Sequence, residues 1–409
     1  MTIRVERRSD GRRNDERHGD GRLGDIRSRD EQRGETRRRG LRQRCLQRAE
    51  HQRSGESRRG TSTTALVVLF ALAFVATTFV LRRVLPGGTG LERNEIKLDR
   101  FRERADETSV LFFGSSRTHR GFVPSLFDQR MHERGVETHS FNFGVPGALA
   151  VDTQHLLARV VELAPPGIDY VFVDPERLSI AVDTRNNLAR SVIDWHEPRI
   201  TALITRYVLN EPLSRAEQLA LLDEHWRCCL YNVTNVGRGL RWVDGALGVA
   251  PSGEKIAEQL GPLGDGYAPQ LTEGEEVGAR GGRIGAKLLP KYLEALEHAR
   301  HEQLSEGPPD PFALELFALI SERVEALGAV PVFVIQPALD LQHDLIKAAQ
   351  RGDVKHLLRF DGPDRYPELY APENRFNNEH LNDDGARLFT ELLAREFATA
   401  LERGEFRKP

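Results

Sequence analysis

The sequence is poor in cysteine, methionine, tryptophan and lysine. Its 409 residues include three cysteines, two methionines and three tryptophans, which excludes a disulfide framework and gives no basis for a cysteine-ligated zinc site. Lysine occurs seven times against 51 arginines, a bias typical of high-GC bacteria. No HExxH motif, CxxC motif or acidic cluster supports a metal site, so we expect neither a metal nor another cofactor.

Charge is divided along the chain, although the net charge is only -3. Residues 1–60 carry 19 arginines, no lysine and 11 acidic residues, a balance of +8, and the remainder carries -11. A basic head on an acidic body argues against a nucleic-acid enzyme with one continuous basic face, and we expect no nucleic-acid partner. The length exceeds that of a usual single domain, and 39% hydrophobic residues suffice for a core.

Charge is missing altogether between Arg59 and Arg82. Residues 61–81 (TSTTALVVLFALAFVATTFVL) form an apolar run that, at about 1.5 Å per residue, can cross a hydrocarbon core of roughly 30 Å as a helix. A buried core helix would show a polar stripe, and a cleaved signal peptide would follow a short basic region rather than some sixty residues. We therefore predict an uncleaved transmembrane helix over 61–83.

Arginine also predicts the orientation of this helix. The arginine-rich head precedes the span and only Arg82 and Arg83 follow it, so residues 1–60 are expected in the cytoplasm and 84–409 in the periplasm or outside the cell. The head has almost no apolar residues and is predicted to be disordered. It is either a solvated topology signal or a segment attracted to anionic membrane lipid.

The body alternates strands and helices. After a polar stalk (84–108), buried or alternating runs predict five strands, at 109–113, 138–143, 170–173, 330–335 and 354–360. Helices are predicted at 124–135, 148–163, 311–327 and 384–403. Strands separated by helices of ten or more residues indicate an α/β domain over 109–409, a three-layer fold with a parallel sheet flanked by helices. In such sheets, sites lie beyond the carboxyl ends of the strands.

Residues 183–305 interrupt this alternation. The segment is predicted to be helical over 187–247 and then rich in glycine and acidic residues, so we interpret it as an insertion over the sheet, a cap or a partner surface. GARGGRIG lacks the spacing of a phosphate-binding loop and indicates a flexible loop. Cys228 and Cys229 are adjacent in a predicted helix, where geometry disfavours a mutual disulfide and buried thiols are expected.

Three segments at strand ends carry candidate chemistry. The turn Gly114-Ser115-Ser116 exposes a hydroxyl after the first strand, although serine also caps helices. The segment from Asn142 to Ala148 (NFGVPGA) can present a backbone N–H to a ligand or serve as an ordinary strand-to-helix turn. His380 precedes the last helix in a polar loop (NNEHLNDDG) and can reach back over the sheet as a general base, although most histidines are surface groups.

The turn FFGSSR, the segment FNFGVPG and the C-terminal EHLNDDGARLF together resemble the SGNH/GDSL hydrolases, in particular their membrane-anchored branch acting on cell-envelope polymers. The resemblance covers roughly residues 109–175 and 311–400. It implies that Ser116 is the nucleophile and His380 its base. It further implies that the N–H groups of Ser116 and Gly147 form the oxyanion hole.

Two departures from the family pattern concern the site. The family places aspartate three residues before its histidine, where this chain has Asn377. Another carboxylate (Glu379, Asp383, Asp361 or Asp364) or a Ser–His dyad would then be needed. The family's Gly-x-Asn-Asp block is also absent after the third strand, where Asp174 and Arg177 are possible cleft-lining residues, as is Asn142 after the second. A helix-capping aspartate and a surface arginine are equally compatible with that segment.

The resemblance implies a membrane-anchored, exported Ser–His esterase or O-acyltransferase acting on an ester of an envelope glycan or lipid. By analogy, an integral membrane acyl-transfer protein is a possible partner. The alternative is a catalytically inactive protein of the same fold that binds a glycan or a membrane partner. A third hypothesis is a membrane sensor that signals through the arginine-rich head.

Overall fold

A computed structural model describes residues 63–80, 93–176, 178, 190–235, 243, 247–269 and 283–406. The chain divides into two compact units, residues 1–74 and 75–409. The first described helix, α1 (Thr63–Val80), begins in the first unit and ends in the second. It is long and apolar enough to cross a membrane, as the sequence predicts for this part of the chain.

The second unit contains a sheet of five strands, all parallel. The strands are β1 (Val110–Phe113), β2 (Ser140–Asn142), β3 (Tyr170–Val173), β4 (Val330–Ile335) and β5 (Leu357–Arg359), in the spatial order β2-β1-β3-β4-β5. The chain starts at an inner strand, moves to one edge and then crosses to the other side of β1. The carboxyl ends of β1, β2 and β3 are therefore neighbours.

Both faces of the sheet are covered, which gives the three layers that the sequence predicts. Alternate residues of each strand point into two separate hydrophobic clusters. Leu111 and Phe113 of β1 belong to one cluster, whereas Val110 and Phe112 belong to the other. Because both faces are buried, the strands read as continuous apolar runs rather than alternating ones.

Helices of six to twenty residues make up most of the rest of the described part of the second unit. The helix α2 is Arg93–Arg102. The remaining helices are α3 (Ser116–Gly121), α4 (Pro124–His132), α5 (Ala150–Leu163), α6 (Arg190–Trp195), α7 (Pro198–Asn210), α8 (Arg215–Thr234), α9 (Gly253–Leu260), α10 (Leu289–His301), α11 (Pro311–Ala326), α12 (His343–Arg351) and α13 (Asp383–Glu402), with short 3₁₀ turns at Pro367–Tyr370 and Pro372–Asn374.

The prediction of a polar stalk over 84–108 is wrong for helix α2. Leu98 and Phe101 are fully buried in the hydrophobic cluster of one sheet face, and Lys97 is fully buried as well. Arginine and glutamate surround these few apolar residues, so the average polarity of the segment hides the buried side of the helix. Helix α2 is part of the domain.

The inserted segment is mostly helical where the structure describes it. Helices α6, α7 and α8 pack against α5, α11 and one another, so they extend a helical layer beside the sheet rather than cap its strand ends. Helix α9 packs on α2. Cys228 and Cys229 are both buried in α8. The Gly-rich segment around 270–282 lies outside the described residues.

Candidate active site

The turn between β1 and α3 places two serines in different roles. Ser115 is the N-cap of α3: its Oγ accepts a hydrogen bond from the Arg117 N–H at 3.2 Å and donates to Glu176. Ser116 is the first residue of the helix and is half-buried. Glycine is required at position 114, because a Cβ there would lie 2.1 Å from the Thr118 Oγ1. The turn is thus tight, and it leaves the Ser116 hydroxyl facing the loop before α13.

His380 meets Ser116 across 264 positions of the chain. The His380 Nε2 lies 2.8 Å from the Ser116 Oγ. The loop that carries the histidine is fixed by Arg375, which is fully buried and donates to the Pro337 carbonyl at 3.1 Å and to the Asn378 carbonyl at 2.7 Å. An isolated bridge between Arg375 and Leu381 closes the loop. This is the arrangement in which an imidazole can remove the proton of a serine hydroxyl.

Asn377 sets the protonation of the imidazole. Its Oδ1 accepts the backbone N–H groups of Glu379 and His380, both at 2.8 Å, so this atom must be the oxygen of the amide. The same oxygen lies 3.1 Å from the His380 Nδ1. An oxygen without a proton requires an N–H on that side, and the neutral ring therefore carries its proton on Nδ1. Nε2 keeps its lone pair and can accept the proton of Ser116.

The alternative carboxylates considered for this position have other contacts. Asp361 pairs with Arg359 at 3.0 Å, and Asp364 lies 3.5 Å from Arg300. Asp383 accepts from Tyr267 and pairs with Arg387. Glu379 is exposed and lines a cavity described below. The neutral amide of Asn377 lies at hydrogen-bond distance on the Nδ1 side of the ring.

The loop after β2 packs closely against α3. The Asn142 amide donates to the carbonyls of Thr118 and Phe122, both at 2.8 Å, and accepts the Gly144 N–H at 2.7 Å. Asn142 is fully buried and holds the loop to the helix, so its predicted place in the cleft lining is wrong. A Cβ on Gly144 would lie 2.2 Å from the backbone nitrogen of His119, which explains why glycine occupies this position.

Gly147 lies further along the same loop and is exposed. The Val145 N–H donates to the Gly114 carbonyl at 3.0 Å, which ties this loop to the turn that carries Ser116. Gly147 has a φ of +80°, a left-handed conformation that favours glycine. The Ser116 N–H lies in the first turn of α3, among the N–H groups that a helix leaves without intrahelical partners. Both predicted oxyanion donors are thus backbone groups of two connected segments.

The carboxyl end of β3 carries a buried acidic pair that sequence reasoning only half identified. Asp174 is buried behind the turn, where it accepts from Gln336 at 2.7 Å and Gln342 at 2.9 Å. Burial, helped by the negative charge of Glu176, raises the pKa of Asp174 to about 7. Asp174 is therefore a buried group next to the turn that carries Ser116. Arg177 lies outside the described residues.

Glu176 and Arg117 were missed as site residues. The Arg117 Nε lies 3.0 Å from a Glu176 oxygen and its Nη2 lies 3.2 Å from Asp340, while both the Arg117 and Glu176 side chains are less than a tenth exposed. The signal that could have found them was their position, since Arg117 directly follows the predicted nucleophile and Glu176 follows a buried strand. Their pairing depends on the neighbouring positions of β1 and β3, which the sequence pattern does not reveal.

A cavity of about 310 Å³ adjoins these residues. Its wall includes Ala295 of helix α10, contributed by the inserted segment. The other lining residues are Arg117, Glu176, Leu339, Asp340, Asn378 and Glu379. A larger cavity, of about 400 Å³, is lined by Asp361, Asp364 and their arginine partners, and by neither Ser116 nor His380.

A scan of the chain against protein-family models finds no match, and a search of curated proteins finds none either. The resemblance to the SGNH/GDSL hydrolases therefore stays a prediction from the three sequence motifs.

Proposed function

We propose that the protein is a membrane-anchored, exported Ser–His esterase or O-acyltransferase of the SGNH/GDSL type, acting on an ester of a cell-envelope glycan or lipid. The observation that carries the proposal is the 2.8 Å contact between the Ser116 Oγ and the His380 Nε2, with Nδ1 held by Asn377. The motifs that resemble this family supply the three segments around that contact. The fold adds support, since the pair lies at the carboxyl end of β1 in a parallel sheet.

The chemistry follows from the proton positions. His380 Nε2 takes the Ser116 proton as Oγ attacks the acyl carbonyl, and the tetrahedral oxyanion is held by the N–H groups of Ser116 and Gly147. The imidazolium then returns the proton to the departing alcohol oxygen as the C–O bond breaks. Water attacks the acyl-enzyme in hydrolysis, or a sugar hydroxyl attacks it in transfer, and His380 takes the proton of the attacking oxygen. The bond between the acyl carbon and the Ser116 Oγ then breaks, His380 returns the proton to Oγ, and the acid or the new ester leaves.

Asn377 orients the ring but supplies no charge to stabilise the imidazolium. In serine proteases, replacing the orienting aspartate by asparagine lowers kcat by about 10⁴, partly because the ring adopts the wrong tautomer. Here the Asn377 oxygen faces Nδ1, so the productive tautomer is kept and only the charge is lost. We therefore expect a slow but competent nucleophile.

The proposed location follows from the apolar helix and the arginine bias. Helix α1 would anchor the chain in the cytoplasmic membrane, with residues 1–60 in the cytoplasm and the catalytic domain in the periplasm or outside the cell. An integral membrane acyl-transfer protein remains a proposed partner. The anchor would keep Ser116 close to substrates made or assembled at the membrane.

A non-catalytic glycan-binding or scaffold protein is the second candidate. The neutral Asn377 and the missing Gly-x-Asn-Asp block favour it, because both weaken the charge stabilisation that an ester hydrolase needs.

Covalent labelling distinguishes the two. The full-length protein in detergent micelles is treated with a serine-directed fluorophosphonate, and the modified residue is mapped by mass spectrometry. We expect labelling at Ser116, none in Ser116→Ala and at least about 10³-fold slower labelling in His380→Ala. Ser125→Ala, which removes an exposed serine of α4, is the matched control and should label normally. Folded wild-type protein that fails to label would favour the non-catalytic candidate.

A further inference from the structure

The wall of the cavity of about 310 Å³ contains three residues that are close in sequence to the proposed catalytic pair. Arg117 directly follows Ser116, and both Asn378 and Glu379 lie between Asn377 and His380 in the sequence. The two segments that carry Ser116 and His380 therefore both contribute to the wall of the cavity. The volume lies at the lower end of the range for small-molecule sites, so it suits a single ring rather than a polymer segment.

The polar wall of the cavity combines three carboxylates with one guanidinium. Glu176 is committed to Ser115 and Arg117. Asp340 gives one oxygen to Arg117, but its side chain is 67% exposed and keeps acceptor capacity toward the cavity. Among the described residues of the wall, the acidic side chains of Glu176, Asp340 and Glu379 outnumber the single guanidinium of Arg117, an excess that disfavours phosphate or carboxylate groups on a ligand.

Arg117 supplies an independent sign of a polar ligand. Its side chain is 7% exposed, and its Nη1 has no hydrogen-bond partner among the residues that the structure describes. A buried guanidinium N–H without a partner is unfavourable, and an acceptor oxygen of a bound molecule would satisfy it. Leu339 and Ala295 provide the apolar part of the wall, against which the C–H face of a ring can pack.

From this wall we infer that the cavity is a subsite for an uncharged polyhydroxyl ring, a neutral sugar residue of the ester substrate, and that it discriminates against anionic sugars. Sugar hydroxyls can donate to Asp340 and Glu379 and accept from Arg117 and the Asn378 amide. This inference rests on the proposed esterase or acyltransferase function for the identity of the reaction, whereas binding of the ring depends only on the cavity.

Binding is tested first, without reference to catalysis. Saturation-transfer NMR on the full-length protein in detergent compares methyl α-D-glucopyranoside with methyl α-D-glucuronide. We expect ring-proton signals from the glucoside, weaker or absent signals from the glucuronide, and loss of the glucoside signal in Leu339→Trp, which fills the cavity. Leu219→Trp makes the same change at an exposed leucine of α8, and this matched control should bind like the wild type. Equal signals from both sugars, or a glucoside signal that survives Leu339→Trp, would overturn the inference.

Turnover gives the second readout. For each variant, kcat/KM on O-acetylated glucoside is divided by kcat/KM on p-nitrophenyl acetate, which lacks a sugar. We expect the ratio to fall about tenfold or more in Leu339→Trp, as sugar contacts are lost. Asp340→Asn should raise the relative rate on the acetylated glucuronide about threefold to tenfold, because it removes one repelling charge.

The two failures are distinguishable. Absence of turnover on either ester, together with absence of fluorophosphonate labelling, would reject the proposed reaction while the NMR result still decides the subsite. Normal labelling at Ser116 with no difference between the two sugars would reject the subsite alone.

Discussion

Two histidines are associated with helix α3, and their surroundings differ. His119 lies in the helix, whereas His380 contacts its first residue, Ser116. His380 is half-buried and offers Nε2 to the Ser116 hydroxyl, while its Nδ1 faces the Asn377 oxygen. His119, one turn after Ser116 in the same helix, is fully buried. Its Nε2 lies 3.0 Å from the Glu258 carbonyl and its Nδ1 lies 3.1 Å from the Lys97 Nζ. Both rings have polar contacts on both nitrogens, but only one of them meets a hydroxyl.

The two rings differ in the group that faces the nitrogen without a proton. A carbonyl is an acceptor, so the His119 Nε2 carries the proton, and burial together with the charges of Lys97 and Arg120 lowers the pKa of His119 well below 6.5. The His119 Nδ1 lies 3.1 Å from both the Lys97 Nζ and the Gly266 carbonyl, so this nitrogen is occupied as well. The lone pair of His380 faces the proton that catalysis would remove. A place in α3 or a contact with α3 does not distinguish a base from a structural histidine, but the partner of the unprotonated ring nitrogen does.

The largest expected effect comes from replacing the neutral amide that faces the His380 Nδ1 by a carboxylate. Asn377→Asp keeps the backbone contacts of the side-chain oxygen and adds a carboxylate beside Nδ1, which would stabilise the imidazolium. We expect the rate of fluorophosphonate labelling at Ser116 to rise by between about 10-fold and 10⁴-fold, the upper figure being the effect of the reverse change in serine proteases. Stopped-assay labelling followed by mass spectrometry measures this rate.

Asn377→Leu is the companion variant, since it removes the oxygen that orients the ring without adding charge. It should label more slowly than the wild type. If Asn377→Asp labels no faster than the wild type although it folds, the imidazolium is stabilised by another group and the role given to Asn377 is wrong.

The sequence predicted the sheet well because buried parallel strands have a simple signature. Runs such as VLFF and VPVFVI can only be satisfied between two helical layers, and all five strands occur within the predicted segments. The burial of helix α2 was not predicted, because Lys97 and Glu95 are buried in it as polar residues with specific partners. Composition cannot show that one particular lysine, Lys97, has three hydrogen-bond partners in the folded chain.

The site shows the same limit. Ser116 and His380 could be paired from motifs that stand at strand ends, although 264 positions separate them. The buried role of Asn142 and the pairing of Arg117 with Glu176 could not be predicted, because each depends on which loops touch across neighbouring strands. Sequence patterns report burial along one element and carry little information about contacts between elements.

A smaller effect, on stability instead of rate, is expected at the structural histidine. The Lys97 Nζ lies 2.8 Å from the carbonyls of Asn142 and Gly266 and 3.1 Å from the His119 Nδ1. Lys97 therefore links α2 to α3 and to the inserted segment. His119→Ala leaves a cavity and unsatisfied partners, and we expect it to lower the free energy of unfolding by about 2–4 kcal/mol.

Denaturant unfolding measures this loss, with His298→Ala as control, because His298 is exposed on α10 and its removal should change stability by less than about 0.5 kcal/mol. Labelling at Ser116 by folded His119→Ala should stay within about threefold of the wild type, a difference of less than about 1 kcal/mol in barrier. A tenfold or greater loss of labelling without loss of stability would mean that His119 also acts in the chemistry.

The smallest effect concerns pH. His119 stays neutral in the fold, whereas an unfolded histidine takes up a proton below about pH 6.5, so folding stability falls as the pH drops below that value. His196 and His225, whose pKa values burial lowers to about 4, act in the same direction, while protonation of Asp174 acts in the opposite one.

His119→Gln removes one of these titrations. Between pH 7 and pH 5 its free energy of unfolding should therefore fall by about 1–2 kcal/mol less than that of the wild type. The unfolding free energy is measured at both pH values for wild type, His119→Gln and His298→Gln. An unchanged pH dependence in His119→Gln would show that His119 is protonated in the folded protein, and the contrast between the two histidines would then have to be redrawn around a charged His119.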